Sequence, residues 1–365
     1  MFNERATYRL HHPVRSIPEL VFAPDGQIDT ALATRVINAF QGTSHGHAGP
    51  VWEPLVREKQ GELQHGLMCR DASLVGRELS SLGRSRAAQG FFGGEAQQSK
   101  CERDPAFAQL LSAWTYDKLL SLAEAVGAVR LELPETGPWG ETILIPPAQL
   151  WAAIEGTLGV DLSPPIHVGG YLGIQAGQHV VQMRMLEAIY AAFRLNQLCQ
   201  QRGLRRVCEI GAGAGLTAYY ALLFGIKEYV IIDLPTMNAV QGYVLAGSRL
   251  GDQVGLFEEH HEGKHLRILP PDEFKKLPSN SIDLLYNQDS LPEIERGAAT
   301  GYLSDAARLG IPLILSINQE AQLPTEDGHQ LSVPELVATA GSYRRNSRHR
   351  HWLREGYVEE LFDLV

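Results

Sequence analysis

The sequence predicts an α/β chain in two parts: a mainly helical region over residues 1–165 and a mostly parallel sheet with helices on both faces over residues 166–365. Three observations predict it. From residue 207 onward, apolar runs of strand length alternate with helical patterns, which implies a parallel sheet. A glycine-rich turn, Gly211-Ala-Gly-Ala-Gly215, separates the first such run from its helix. Before residue 165 the periodicity is helical, and Pro164-Pro165 then breaks the chain.

Composition narrows the class. A chain of 365 residues fits two domains and can bury a large core. Its 44% hydrophobic and 20% charged residues are those of a soluble globular protein. No apolar run reaches the roughly 18 residues of a membrane span, and the first residues show no signal-peptide pattern. Cys69, Cys101, Cys199 and Cys208 form no CxxC pair, which speaks against zinc or a disulfide framework and for the cytoplasm. The net charge of −10 argues against nucleic acid as a partner.

The N-terminal elements follow in order. Asp29 caps a helix over 30–40, with Gly42 soon after its end. The Gly-, Ala- and Gln-rich stretch 83–100 reads as a long flexible loop anchored by Phe91 and Phe92, either plain surface or an active-site lid. Asp104-Pro105 then starts a helix ending at Gly127, and Pro146-Pro147 starts another through Gly156. These helices are expected to cover a site on the C-terminal part, to form a homodimer, or both.

The C-terminal elements begin with one long helix over 178–201 and Gly203. Strands are expected at 207–210, 229–232, 265–269, 282–286 and 312–317, with helices starting near Leu216 and Thr236. Ser332-Val-Pro-Glu335 predicts a capping box with Leu331 and Leu336 as a hydrophobic staple. Residues 348–353 and 357–364 predict an antiparallel hairpin at the sheet edge.

The glycine turn carries the chemistry. Glycine is needed where the backbone turns sharply or a ligand touches the main chain, and the following helix start offers free N–H groups. The dinucleotide fingerprint GxGxxG would put a third glycine at residue 216, which is Leu216; the spacing is GxGxG instead. Asp233, about 20 residues on at the end of the next strand, suits the hydroxyls of a ribose.

Glu209 before the turn, together with Gly211, Gly213 and Gly215, resembles the first motif of class I S-adenosylmethionine (SAM)-dependent methyltransferases. The resemblance implies a Rossmann-like sheet ending in an antiparallel hairpin, with SAM as the cofactor. It places Glu209 near the methionine end and Gly211, Ala212, Gly213 and Gly215 under the methionine end and ribose. Asp233 and Leu234 fall beside the ribose, Asp272 at the adenine amine, and Asn287 and Gln288 beyond the fourth strand. The run Asn287-Gln-Asp-Ser-Leu-Pro-Glu293, with Ile231-Ile-Asp-Leu-Pro235 and Ser316-Ile-Asn318, is similar to a bacterial family of sugar O-methyltransferases over residues 166–365. Gln288, Asp289 and Leu291-Pro292 depart from that family's usual run, which bears on the acceptor more than on the cofactor.

The resemblance implies methyl transfer to a hydroxyl of a sugar or glycosylated metabolite, in natural-product biosynthesis. An alcohol acceptor needs a base. Asp289 is the first choice because it lies nearest the expected methyl position, followed by Glu293 and His260. His167, His179, Ser290 and Asn318 are expected to bind the acceptor. No metal is expected, although Asp289, Glu293 and Glu320, or His260, His261, Glu262 and His265, could be imagined around one. The basic stretch 344–352 reads either as a cradle for an anionic acceptor or as a charged edge strand that blocks aggregation. Transfer to nitrogen or to a non-sugar acceptor, and SAM binding without catalysis, stay open.

Overall fold

The computed structural model describes residues 10–44, 52–133, 135–137, 140–165, 167–321, 324–325 and 328–365. After a short strand, β1 (Leu20–Phe22), the N-terminal part is helical: α1 (Thr30–Gln41), α2 (Trp52–Lys59), α3 (Gly61–Cys69), α4 (Ala72–Ser80), α5 (Gly94–Arg103), α6 (Pro105–Ala125) and α7 (Pro147–Leu158). The predicted caps hold. Asp29 accepts from the Leu32 amide, and Asp104 accepts from the amides of Ala106 and Phe107 ahead of Pro105.

The stretch 83–100 is not the flexible loop its composition predicted. It holds two tight turns, Leu82–Arg84 and Arg86–Ala88, and most of α5. Its small residues serve close packing: a Cβ on Gly83 would lie 2.2 Å from the Tyr171 amide nitrogen. Buried Gln98 donates to the Gly83 and Gly170 carbonyls at 2.6 and 2.7 Å. The same small residues that raise backbone freedom in an unfolded chain permit backbone contact in a folded one.

β2 (Leu172–Ala176) and β3 (His179–Val181) complete a three-stranded antiparallel sheet with β1, so strand pairing crosses residue 165. The helix predicted over 178–201 starts later, because residues 179–181 pair with β2. It is α8 (Met183–Arg202), closed by left-handed Gly203.

Then come β4 (Arg206–Ile210), α9 (Leu216–Leu223), β5 (Glu228–Ile232), α10 (Pro235–Ala246), β6 (Val254–Gly255), β7 (Leu266–Leu269), β8 (Leu284–Gln288), α11 (Arg296–Arg308) and β9 (Leu313–Gln319). A two-residue ribbon, β10 (Pro324–Thr325) and β11 (Gly328–His329), precedes α12 (Val333–Ala340), β12 (Tyr343–Arg350) and β13 (Tyr357–Leu364). The large sheet runs β12-β13-β9-β8-β4-β5-β7-β6, parallel from β9 to β6 and antiparallel at β13 and β12. This is the Rossmann-like sheet with a C-terminal hairpin that the sequence predicted, although the first hairpin strand lies at 343–350 and not at 348–353, because it is Tyr343 to Arg350 that pair along β13.

Alternation along the strands feeds two cores. Val207, Tyr229, Ile231, Leu284 and Leu315 pack toward α8, α9 and α10, while Cys208, Ile210, Val230, Leu285 and Ile314 pack toward α11 and α12. Helix α12 departs from prediction in one detail. Ser332 makes no side-chain cap bond, so the capping box does not form, although Leu331 and Leu336 share the second core. The chain order reverses between β4 and β8, which opens a crevice at their carboxyl ends.

Candidate active site

A cleft of about 780 Å³ lies at that reversal. Its floor is the turn after β4. Gly211, Gly213 and Gly215 all have positive φ, at 73°, 56° and 77°. A Cβ on Gly211 would sit 2.3 Å from Ser290, and one on Gly213 would touch Phe91 at 3.4 Å. Gly215 lies behind the cleft wall, where a Cβ would meet Leu245 at 2.6 Å; it lets α9 pack on α10 and does not line the cavity.

Asp233 ends β5 and lines the cleft. Its Oδ2 accepts from the Ala212 amide at 2.8 Å and from Gln241 Nε2 at 2.6 Å, and its Oδ1 from the Leu234 amide at 2.8 Å. Gln241 also donates to the Gly213 carbonyl at 3.0 Å, so α10 braces the turn and the carboxylate together. Burial pushes the Asp233 carboxyl up to about 6, against the pull of those hydrogen bonds.

Glu209 is 2% exposed and also faces the cleft. Tyr229 donates to its Oε2 at 2.9 Å. Burial pushes this carboxyl up to about 8; the Tyr229 bond opposes the shift and the nearby Asp233 charge adds to it. Leu234, Met237, Pro271 and Tyr302 add an apolar wall to the same cleft.

The loop after β8 forms the facing wall. Asp289 has the left-handed φ of 62°, unusual outside glycine. Its Oδ2 accepts from Arg184 at 3.0 Å and from Arg354. Burial would raise this carboxyl, but the two guanidinium groups outweigh it and hold it below the usual carboxylate range. Gln288, Ser290 and Glu293 line the cleft as well.

The remaining expected residues lie elsewhere, and each has a physical reason. Asn287 is fully buried and donates to the Ile210 carbonyl at 2.8 Å, while its Oδ1 accepts from Asn318 Nδ2 at 2.9 Å. Asn318 also bonds Ser316, and Ser290 Oγ donates to the Ile210 carbonyl at 2.7 Å. These polar groups tie the carboxyl ends of β4, β8 and β9 together, so Asn287 and Asn318 shape the crevice from behind. Asp272 turns outward in the tight helical turn after β7 and accepts from Ser44 at 2.9 Å; its neighbour Pro271 reaches the cleft in its place.

No predicted histidine reaches the cleft. His167 packs on the Tyr243 ring at 5.1 Å. His179, on β3, borders a separate surface groove with Asp161 and Ser163. His260 is 82% exposed beside Glu262, so it meets solvent in place of an acceptor. The imagined metal groups are dispersed: His261 bonds the Leu256 carbonyl, His265 the Lys227 carbonyl, and Glu320 pairs with Arg348. Among the described residues, no cluster of three or more His, Cys, Asp or Glu could hold a metal, and no helix is long and apolar enough to cross a membrane. The basic stretch 344–352 lies mostly on edge strand β12, where Arg345 and Arg348 pair with Glu360, which favours the edge-strand reading.

Sequence reasoning missed Arg184, Glu187, Arg354 and Tyr357 in the cleft wall, whereas Phe91, an anchor of the stretch read as surface or active-site lid, does line the cleft. One signal existed: Arg184 and Glu187 are a charged pair inside the apolar pattern of α8, and a charge on a core-facing stripe needs a partner.

No family model matches this sequence, and no curated protein matches it. Solved structures are similar in part. A SAM-dependent methyltransferase from Aquifex aeolicus is 20% identical with a TM-score of 0.34, over 47% of this chain and 92% of its own. The 1,6-didemethyltoxoflavin N1-methyltransferase of Burkholderia thailandensis, solved with bound 1,6-didemethyltoxoflavin and S-adenosylhomocysteine, is 16% identical with a TM-score of 0.33, over 49% of this chain and 78% of its own. The pyocyanin biosynthetic protein PhzM is 14% identical with a TM-score of 0.38, over 50% of this chain and 56% of its own.

Proposed function

We propose that this chain is a SAM-dependent methyltransferase acting on a hydroxyl of a small polar acceptor, a sugar derivative by its resemblance. One observation carries the reading. The turn after β4, free of Cβ atoms at Gly211 and Gly213, lies between two buried carboxyls, Glu209 and Asp233, at the chain reversal of a parallel sheet. These residues fit the cofactor. Asp233 retains acceptor capacity for ribose hydroxyls, Glu209 is a buried carboxyl suited to a cationic methionine end, and Leu234, Met237, Pro271 and Tyr302 suit a flat base.

The chemistry that SAM supplies when bound is an activated methyl: a new C–O bond forms as the C–S bond breaks, with both its electrons left on sulfur. The protein's part is then alignment and proton removal, and alignment can contribute about 7–11 kcal/mol. Asp289 is a weak base because two guanidinium groups stabilise its charge. Glu295 is committed to the first amides of α11 at 2.8 and 2.9 Å. Glu293, whose Oε1 accepts from Gln330 at 3.4 Å, is the better place for the hydroxyl proton to go. Residues 1–165 cover the cleft in this reading, since Gly90 and Phe91 line it.

The motif residues Asn287 and Asn318 are structural, so the sugar reading rests on the resemblance alone. Incubation with SAM and a panel of hydroxylated acceptors, followed by mass spectrometry, tests the proposal. A product heavier by one CH₂ supports it. Binding of SAM in calorimetry with no turnover of any acceptor would leave a non-catalytic binding protein instead.

A further inference from the structure

The wall opposite the glycine turn carries an unbalanced charge. Lys118 on α6, Glu187 and Arg184 on α8, Asp289 after β8 and Arg354 before β13 form one continuous series of ion pairs. Lys118 Nζ meets Glu187 Oε1 at 2.8 Å, Arg184 meets Glu187 Oε2 at 3.1 Å, and Arg184 and Arg354 share Asp289 Oδ2. Three basic groups face two carboxylates: burial lowers the Lys118 pKa against the pull of Glu187, and on the cleft side two guanidinium groups share Asp289. Lys118 is buried behind the wall and Glu187 is buried where it meets the cleft, while Arg184, Asp289 and Arg354 line the cleft a quarter to a third exposed.

The cleft's other acids are engaged elsewhere, Asp233 by the Ala212 and Leu234 amides and Gln241, Glu295 by the first amides of α11 and Glu293 by Gln330, and the groups packed around the ion pairs add no net negative charge. His351 is buried, takes the Arg354 amide on its Nδ1, and is held down to about 3 by burial, so it is neutral. Glu359 is matched by Arg194 at 2.7 Å. Burial holds Tyr190 and Tyr357 as neutral phenols. An unmatched cation in a partly desolvated wall is unfavourable until an anion pairs with it. Arg184 and Arg354 each reach Asp289 through one nitrogen, and a guanidinium has five N–H donors whose fork fits carboxylate and phosphate oxygens.

We infer that the acceptor is an acid, and that its carboxylate or phosphate seats against Arg184 and Arg354. This rests on the methyl-transfer reading for the word acceptor, but the anion site stands on its own geometry. Asp289 is then a positioning residue: its carboxylate holds both guanidinium groups on the cleft wall.

The test titrates the full chain with sulfate, phosphate and benzoate at constant ionic strength set by chloride, with and without saturating S-adenosylhomocysteine, and reads calorimetry and the unfolding midpoint. Saturable binding of one of these anions is expected, and its preference separates phosphate from carboxylate acceptors. Arg354→Gln and Arg184→Gln should weaken it about tenfold or more. Arg348→Gln, on the paired sheet edge, should not. If a glutamine variant fails to fold, Arg354→Lys keeps the charge, loses the fork and should bind with intermediate affinity. Absence of saturable anion binding in the wild type, or equal binding in a folded Arg354→Gln, overturns the inference. Failure of S-adenosylhomocysteine to bind while the anion arm succeeds would overturn the methyl-transfer reading alone. In turnover, Arg354→Gln should raise KM for an acidic acceptor far more than it lowers kcat.

Discussion

The two halves of the cleft are built by different means. The half at β4 and β5 is backbone: two left-handed glycines on the floor, a third behind it, two strand ends and a helix start, contiguous within residues 209–216 apart from Asp233 and its Gln241 brace. The facing half is side chain: five charged residues at 118, 184, 187, 289 and 354, brought together from α6, α8 and two loops. A backbone site tolerates almost no change at its glycines, because their φ angles and missing Cβ atoms are the site. A side-chain network tolerates conservative exchange, because charge and reach can be partly replaced.

That contrast can be broken most severely at Gly211. Gly211→Val combines a left-handed φ with a Cβ 2.3 Å from Ser290. It should reduce S-adenosylhomocysteine binding by about 100-fold or more at little cost in helix content by circular dichroism, since backbone strain of roughly 1–2 kcal/mol is compounded by the clash. Near-normal binding would show that the turn is not the floor of the cofactor site.

The next effect follows from Glu209. Burial pushes its carboxyl up to about 8, which favours the protonated form below that pH and the ionised form above it. If it pairs with a cationic ligand, SAM affinity should rise about tenfold per pH unit up to pH ~8 and then level off. Calorimetry across that range checks this, and Glu209→Gln should flatten the slope.

A smaller effect concerns the scaffold of the charged half. His12 bonds Asp117 at 2.7 Å and Glu124 at 3.1 Å on α6, the helix that also carries Lys118. Burial alone would lower its pKa, but the two carboxylates raise it from 6.5 to about 9. The folded state therefore holds the proton more tightly than the unfolded one. The resulting stability, on the order of 2–3 kcal/mol, is fully present below pH 6.5 and is lost as pH rises through about 9. Urea unfolding across that window should show a steeper loss of stability with pH in the wild type than in His12→Gln, which keeps only the contribution of groups such as Glu209.

The smallest effect is the null expected at His260. His260→Ala should leave turnover unchanged, because the side chain is 82% exposed outside the cleft. A large loss of kcat would return the histidine to the chemistry.

Much of the backbone half was legible in the sequence. The strand patterns, the GxGxG spacing and the acid closing β5 are local features, and glycine at a forced turn is visible wherever it stands. The misreadings share a cause. Asn287 and Asn318 look like ligand contacts in a motif, yet a buried amide is equally suited to tying strand ends. The stretch 83–100 has the composition of a loop, yet its small residues are spaces for other backbone.

By itself, then, the sequence determined the alternation of the main strands with helices from β4 onward, the parallel sheet and the glycine turn, because each depends on residues near one another along the chain. Only the tertiary structure decided which carboxyls are buried enough to hold protons, that Asp289 lies between two arginines, and that a positive charge is left over on the cleft wall. Those properties depend on distance and desolvation between residues as far apart as 118 and 354, and neither quantity is written in local pattern.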